Sequence, residues 1–140
     1  MTAGEYLKRE LLKVACGTYE GEDNITELVE LWKKPWGIEL CKKLNFPTLD
    51  FFTQYEKEMQ PHGVFLNQKG LRLYNRDVVL INSTANIEFS LPERAYSVLL
   101  YRGADVVISA KNCAVVKVTK INEDCKCNVL TESNATVMCN

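Results

Sequence analysis

The chain has no apolar run approaching the roughly twenty residues that cross a bilayer, so its sequence predicts no membrane span. Its start, Met1-Thr2-Ala3-Gly4-Glu5-Tyr6, lacks the positive charge and apolar stretch of a secretory leader. The expectation is a cytoplasmic protein (virion-associated if phage-encoded) whose six cysteines, at 16, 41, 113, 125, 127 and 139, stay reduced. On that view the Asn-x-Ser/Thr triplets at Asn24, Asn82 and Asn134 are chance. An excess of charge of one sign is missing too. Net charge is −1, with 8 Lys/Arg against 11 Asp/Glu in residues 1–63 and 9 against 7 in residues 64–140. Neither half has the charge density of a nucleic-acid binder or of an acidic mimic. Arg72, Arg76, Arg94 and Arg102 could form a local basic patch, but scattered arginines on strands more often make a solvated face.

Chemistry-bearing motifs are equally scarce. There is no phosphate-binding Gly-rich loop, no nucleophile elbow and no His-Glu-x-x-His helix. His62 is the single histidine, and Pro61 and Gly63 on either side place it in a turn rather than beside a nucleophilic cysteine. Glu20, Glu22 and Asp23 lie in a polar turn before a helix, where solvated acids are commoner than a glycosidase pair. The strongest metal candidate is Cys125-Lys126-Cys127 with Cys113 and Cys139. Zinc sites usually space their close cysteines by two to four residues, and here the interval is one. Thiols packed as small hydrophobes account for the same pattern. The sequence therefore assigns no catalytic, cofactor-binding or metal residue and no cofactor.

What is present is a soluble globular composition, 46% hydrophobic and 25% charged, with two distinct periodicities. Residues 1–62 read as short helices. Thr2-Ala3-Gly4-Glu5 has the form of a capping box, followed by Tyr6, Leu7, Leu11, Val14 and Ala15 near one face. Asn24-Ile25-Thr26-Glu27 repeats that logic before Leu28, Leu31 and Trp32, and Pro35 ends that helix and starts the next. The third helix should bury Ile38, Leu40 or Cys41, and Leu44. A last helix is expected from about Thr48 to Met59, with Leu49, Phe52, Tyr55 or Glu56, and Met59 in one stripe. Trp32, Trp36, Phe46, Phe51 and Phe52 could line a peptide groove, but in so small a unit they are better read as core.

From Gly63 the period becomes that of strands, and a unit of about ten residues recurs. Units open at Asn75, Ala85, Ala95, Ala104, Ala114, Cys125 and Ala135. A small residue at each corner lets stacked coils approach, and two units make a coil of roughly twenty residues. The fold class expected is α+β: a helical cap (1–62) on a small parallel β-solenoid of about three coils (63–140), sharing one core. The alternative is a β-sandwich or antiparallel barrel, although the Asn-Gly or Asp-Gly hairpin signal is absent.

The stretches Pro35-Trp36-Gly37-Ile38-Glu39-Leu40-Cys41 and Asn45-Phe46-Pro47-Thr48-Leu49-Asp50-Phe51-Phe52, followed by Ala-x-Val/Ile repeats, resemble a family of small uncharacterised proteins of gut bacteria and their phages and mobile elements. The resemblance covers almost the whole chain. It implies no activity and carries over no functional residue. The expectation is a non-enzymatic structural or protein-interaction protein, a homo-oligomer or partner binder through an uncapped C-terminal coil. An accessory or inhibitor module on a host protein is the second reading, and a small cysteine- or carbohydrate-active enzyme the third.

Overall fold

The computed structural model describes residues 2, 4–6, 8, 9, 29, 35–44 and 47–139, in two units, Met1–His62 and Gly63–Asn140. The expected helical faces at residues 10–28 and 30–34, including Trp32, and the polar turn of Glu20, Glu22 and Asp23, lie outside the described residues, as does Phe46.

In the first unit the capping box forms as its residues dictate. The Glu5 N–H donates to Thr2 Oγ1 at 3.1 Å, and Glu5 Oε2 accepts from the Thr2 N–H at 3.3 Å. Helix α1 spans Pro35–Leu44, buries Ile38 and Cys41, and ends on Lys42 and Lys43, which suit the negative end of its dipole. The expected single helix from Thr48 to Met59 is two. Thr48 is the N-cap of α2 (Leu49–Gln54), its hydroxyl accepting from the Phe51 N–H at 3.2 Å. Tyr55 then leaves helical geometry (φ −113°, ψ 21°) before α3 (Glu56–Met59) and a 3-10 turn, Gln60–His62. The break rotates the buried stripe to Phe51, Phe52, Tyr55 and Met59, and Leu49 is exposed. Tyr6, Phe51 and Tyr55 form a mutual ring cluster with centroids 5.1–5.6 Å apart. Ring pairs at this spacing add about 0.5–1.5 kcal/mol each beyond burial.

The second unit is a parallel β-solenoid. Strands β1 (Val64–Leu66), β3 (Val78–Ile81), β5 (Ala95–Tyr101), β7 (Val115–Lys120) and β9 (Thr136–Cys139) form one sheet in that order. Strands β2 (Leu71–Tyr74), β4 (Thr84–Phe89), β6 (Asp105–Ala110) and β8 (Lys126–Thr131) form the other. Every neighbouring pair is parallel, which removes the sandwich and the antiparallel barrel. From β3 onward each residue lies beside the one 20 or 21 positions later: Val78 beside Val98, Ala95 beside Val115, Asp105 beside Lys126. That makes about three regular coils, β3–β4, β5–β6 and β7–β8, with β9 beginning another. A shorter turn, β1–β2, precedes them at a step of 14 or 15 residues, Val64 beside Val79 and Leu71 beside Ala85.

The inward side chains stack in columns. Ile87, Ile108 and Val129 share one, and Val78, Val98, Val118 and Cys139 another. The small-residue register holds for the later units in two separate columns. Ser83, Ala104 and Cys125 occupy one corner, each directly before a strand of the four-stranded sheet; Ala114 and Ala135 occupy the opposite corner. Ala85 and Ala95 depart from it, since each lies within a strand.

The corners are tight because the chain accepts left-handed backbone there. At Arg102-Gly103, Asn112-Cys113 and Ser133-Asn134 two successive residues have φ of 46–78°, and an N–H closes back three residues at 3.1–3.2 Å. This is the conformation of a type I′ turn, used to pass between sheets instead of within a hairpin. Asn67 and Asn82 take the same left-handed φ one level apart, and Asn82 Nδ2 donates to Asn67 Oδ1 at 2.8 Å. Asparagine tolerates this region better than most residues, and its amide can bond along the stack.

Candidate functional site

The candidate catalytic residues of the sequence belong to different units. His62 ends the 3-10 turn of the first unit. Cys113 sits exposed in the corner joining β6 to β7, whereas Cys125 fills the corner joining β7 to β8. A six-residue strand separates those corners, about 20 Å at the usual rise. Among the described residues no three His, Cys, Asp or Glu side chains gather as a metal site. The arginines take different settings. Arg72 is exposed on β2, Arg76 lies over the Phe65 ring at 5.7 Å, and Arg102 is in a corner turn. Arg94 is over the Tyr96 ring at 4.5 Å and pairs with Asp77 at 3.0 Å.

The unusual surface is the last coil. In β6 the inward positions Val106, Ile108 and Ala110 are fully buried, and in β7 so are Val116 and Val118. One level on, the same columns surface: Val129 is 38% exposed where Ile108 is 0%. Cys127, Ala135 and Val137 are only partly buried against the core. Leu130 and Met138 point away from the core and are 64% and 49% exposed. Among the described residues β8 pairs only with β6, and β9 only with β7. Their free edges present the N–H and C=O groups of Lys-Cys-Asn-Val-Leu-Thr and Thr-Val-Met-Cys. A solvent-facing edge is normally guarded by charge, proline or a bulge; here the ten residues hold one charge, Lys126, at an end.

Leu130 also borders a cleft of about 270 Å³ on the outer face of the four-stranded sheet, with Glu88, Ser109, Lys111 and Glu132. The second unit itself holds no histidine to accompany Ser109.

Two of the cysteine candidates do meet. Cys127 and Cys139 neighbour one another at the open end, and burial, then the neighbouring Cys139, pushes the Cys127 thiol up to about 12. Cys125 is also raised, chiefly by burial, as fits a thiol standing in the column of Ser83 and Ala104. Sequence reasoning grouped four cysteines by spacing and did not single out this pair. The signal was available: with a coil of 21 residues, Cys139 falls over Val118 and Cys127 over Val106.

Comparison with protein-family models, with curated proteins and with solved structures returns no match to this chain.

Proposed function

We propose that this is a non-enzymatic structural or interaction protein that self-associates through its β half, using the open edges of β8 and β9. The observation that carries the reading is the contrast within single core columns, buried at Ile108 and open at Val129, on an edge almost free of charge. A second copy presenting the same surface would cover Val129, Leu130 and Met138 and pair the free backbone groups. A two-fold contact of this kind closes on itself as a dimer and leaves no further edge at that end.

Light scattering across a concentration series tests it. The expected mass rises from 15.9 kDa toward twice that value within the micromolar range. Val129→Lys places an inward charge on the edge, the device that natural edge strands use, and should hold the chain monomeric with unchanged circular dichroism. A wild-type chain that stays monomeric at high micromolar concentration would overturn the reading.

A further inference from the structure

The outer face of the four-stranded sheet carries a second hollow beside the cleft at Leu130. Alternation along the strands turns Leu71, Leu73, Ile87, Phe89, Val106 and Ile108 to the core, so Arg72, Tyr74, Asn86, Glu88 and Ser109 face outward. Register sets these in two columns. Arg72 lies beside Asn86, and Tyr74, Glu88, Ser109 and Leu130 follow one another across β2, β4, β6 and β8. The five polar residues line a hollow of about 170 Å³, and Glu88 and Ser109 also line the cleft of about 270 Å³ that reaches Lys111 and Glu132. The two therefore adjoin in one shallow trough crossing all four strands. At the usual strand spacing it spans about 14 Å.

Two properties of the trough select its occupant. Its polar side chains are unspent: among the described residues, those of Arg72, Asn86, Glu88, Ser109, Lys111 and Glu132 make no internal hydrogen bond or ion pair. Arg72 and Glu88 are even diagonal neighbours of opposite charge on adjacent strands, and still do not join. The charge is also balanced, Arg72 and Lys111 against Glu88 and Glu132. A polyanion gains little from a neutral site, and an apolar ligand would leave these groups buried without partners. Donors and acceptors interleaved at strand spacing suit a neutral ligand that carries hydroxyls at the same pitch. Tyr74, 57% exposed at one end of the trough, adds a flat apolar ring with a polar tip.

We propose that this trough binds a neutral, extended chain of β-linked hexoses laid across the strands. Each sugar of such a chain is close in length to one strand interval, so successive sugars meet successive strands. The Tyr74 ring stacks on the apolar face of one sugar. Sugar hydroxyls donate to the Glu88 carboxylate and accept from Arg72, while the Asn86 amide and the Ser109 hydroxyl both donate and accept. An α-linked chain, which coils, leaves a straight trough after one or two units. The inference does not rest on the self-association proposed above, because Arg72, Tyr74, Asn86, Glu88 and Ser109 lie on β2, β4 and β6, away from the β8 edge.

Titration of the full chain with cellotetraose, followed by amide-resolved NMR, tests it. The expected result is progressive shifts confined to β2, β4, β6 and the residues bordering the cleft, saturating in the millimolar range that suits a shallow, open site. Tyr74→Ala should weaken binding about tenfold, the upper value for a ring contact, and Glu88→Gln by a similar factor through loss of a charged acceptor. Both positions are exposed, so circular dichroism should be unchanged. Maltotetraose, which is α-linked, and tri-galacturonate, which is anionic, should each bind on the order of tenfold more weakly than cellotetraose. Val129→Lys, which blocks association, should bind as wild type does. No shift at saturating cellotetraose, shifts outside the trough, equal binding of either control sugar, full affinity in Tyr74→Ala, or binding lost in Val129→Lys would each overturn the inference.

Discussion

The column of Ile87, Ile108 and Val129 allows one substitution to be compared at successive levels of the same stack. Ile108 is wholly buried. Truncation to Ala removes three carbons, about 2.4 kcal/mol at ~0.8 kcal/mol each, and leaves a cavity between two coils that cannot collapse onto it. The expected cost of Ile108→Ala is about 3–4 kcal/mol. Val129→Ala removes two carbons, already 38% in water, and opens no enclosed cavity because no described strand lies beyond β8. Its expected cost is about 1 kcal/mol or less. Urea unfolding of monomeric protein, followed by far-ultraviolet circular dichroism, reads the difference as a shift in midpoint at constant m. Tryptophan emission would not serve, because Trp32 and Trp36 both belong to the first unit. Val129→Ala as costly as Ile108→Ala in the monomer would mean that the last coil is covered and that the surface has been misread. Ile108→Ala below about 1 kcal/mol would refute the register itself.

Three further outcomes follow from single residues. The buried Ser83 hydroxyl donates to the Ile81 carbonyl at 2.9 Å and accepts from the Gln68 N–H at 3.0 Å; Ser83→Ala should cost about 1–3 kcal/mol by urea unfolding, and a neutral result would contradict that bonding. Cys113 carries φ 60° in its corner turn, so Cys113→Gly should raise stability by about 1 kcal/mol, with a lowered midpoint as the refuting result. Cys127 binds its proton more tightly folded (about 12) than at its ordinary value of 9.0. Its contribution is thus fully present below pH 9 and is lost as pH rises toward 12. Screening at this half-exposed site keeps the effect small, but Cys127→Ala should lose less stability over that interval than wild type, and parallel curves would remove the assignment.

The solenoid was readable because its later corners repeat one solution. Ala104, Ala114, Cys125 and Ala135 recur at intervals set by a strand and a tight turn, and the structure places each directly before a strand. The first turn of the stack was not readable in that way, because β1–β2 advances by 14 or 15 residues and falls out of the ten-residue frame. Strands also differed in clarity. β6, with alternating burial, announces its inward face, whereas β3 is Val-Val-Leu-Ile with all four residues buried, so no alternation distinguishes its faces. The turn chemistry was hidden for another reason. Left-handed corners at Asn112-Cys113 and Ser133-Asn134 use asparagine where a search for Asn-Gly or Asp-Gly finds nothing. In the first unit, periodicity located the last helical stretch but missed the break at Tyr55, whose ring packs on Tyr6, far away in sequence.

In a stacked fold each coil is stabilised mainly by its two neighbours, so a coil with one neighbour is the first to open. The burial pattern expresses that asymmetry: β5 and β6 have partners on both sides and bury their columns fully, while β8 and β9 have one and do not. Association at this edge would act on that weakness. A second copy adds the missing neighbour, and its effect grows with concentration as mass action requires. The cost of Val129→Ala reads this out: it should rise with protein concentration where copies associate, and a cost that stays flat would mean that no second copy covers the edge.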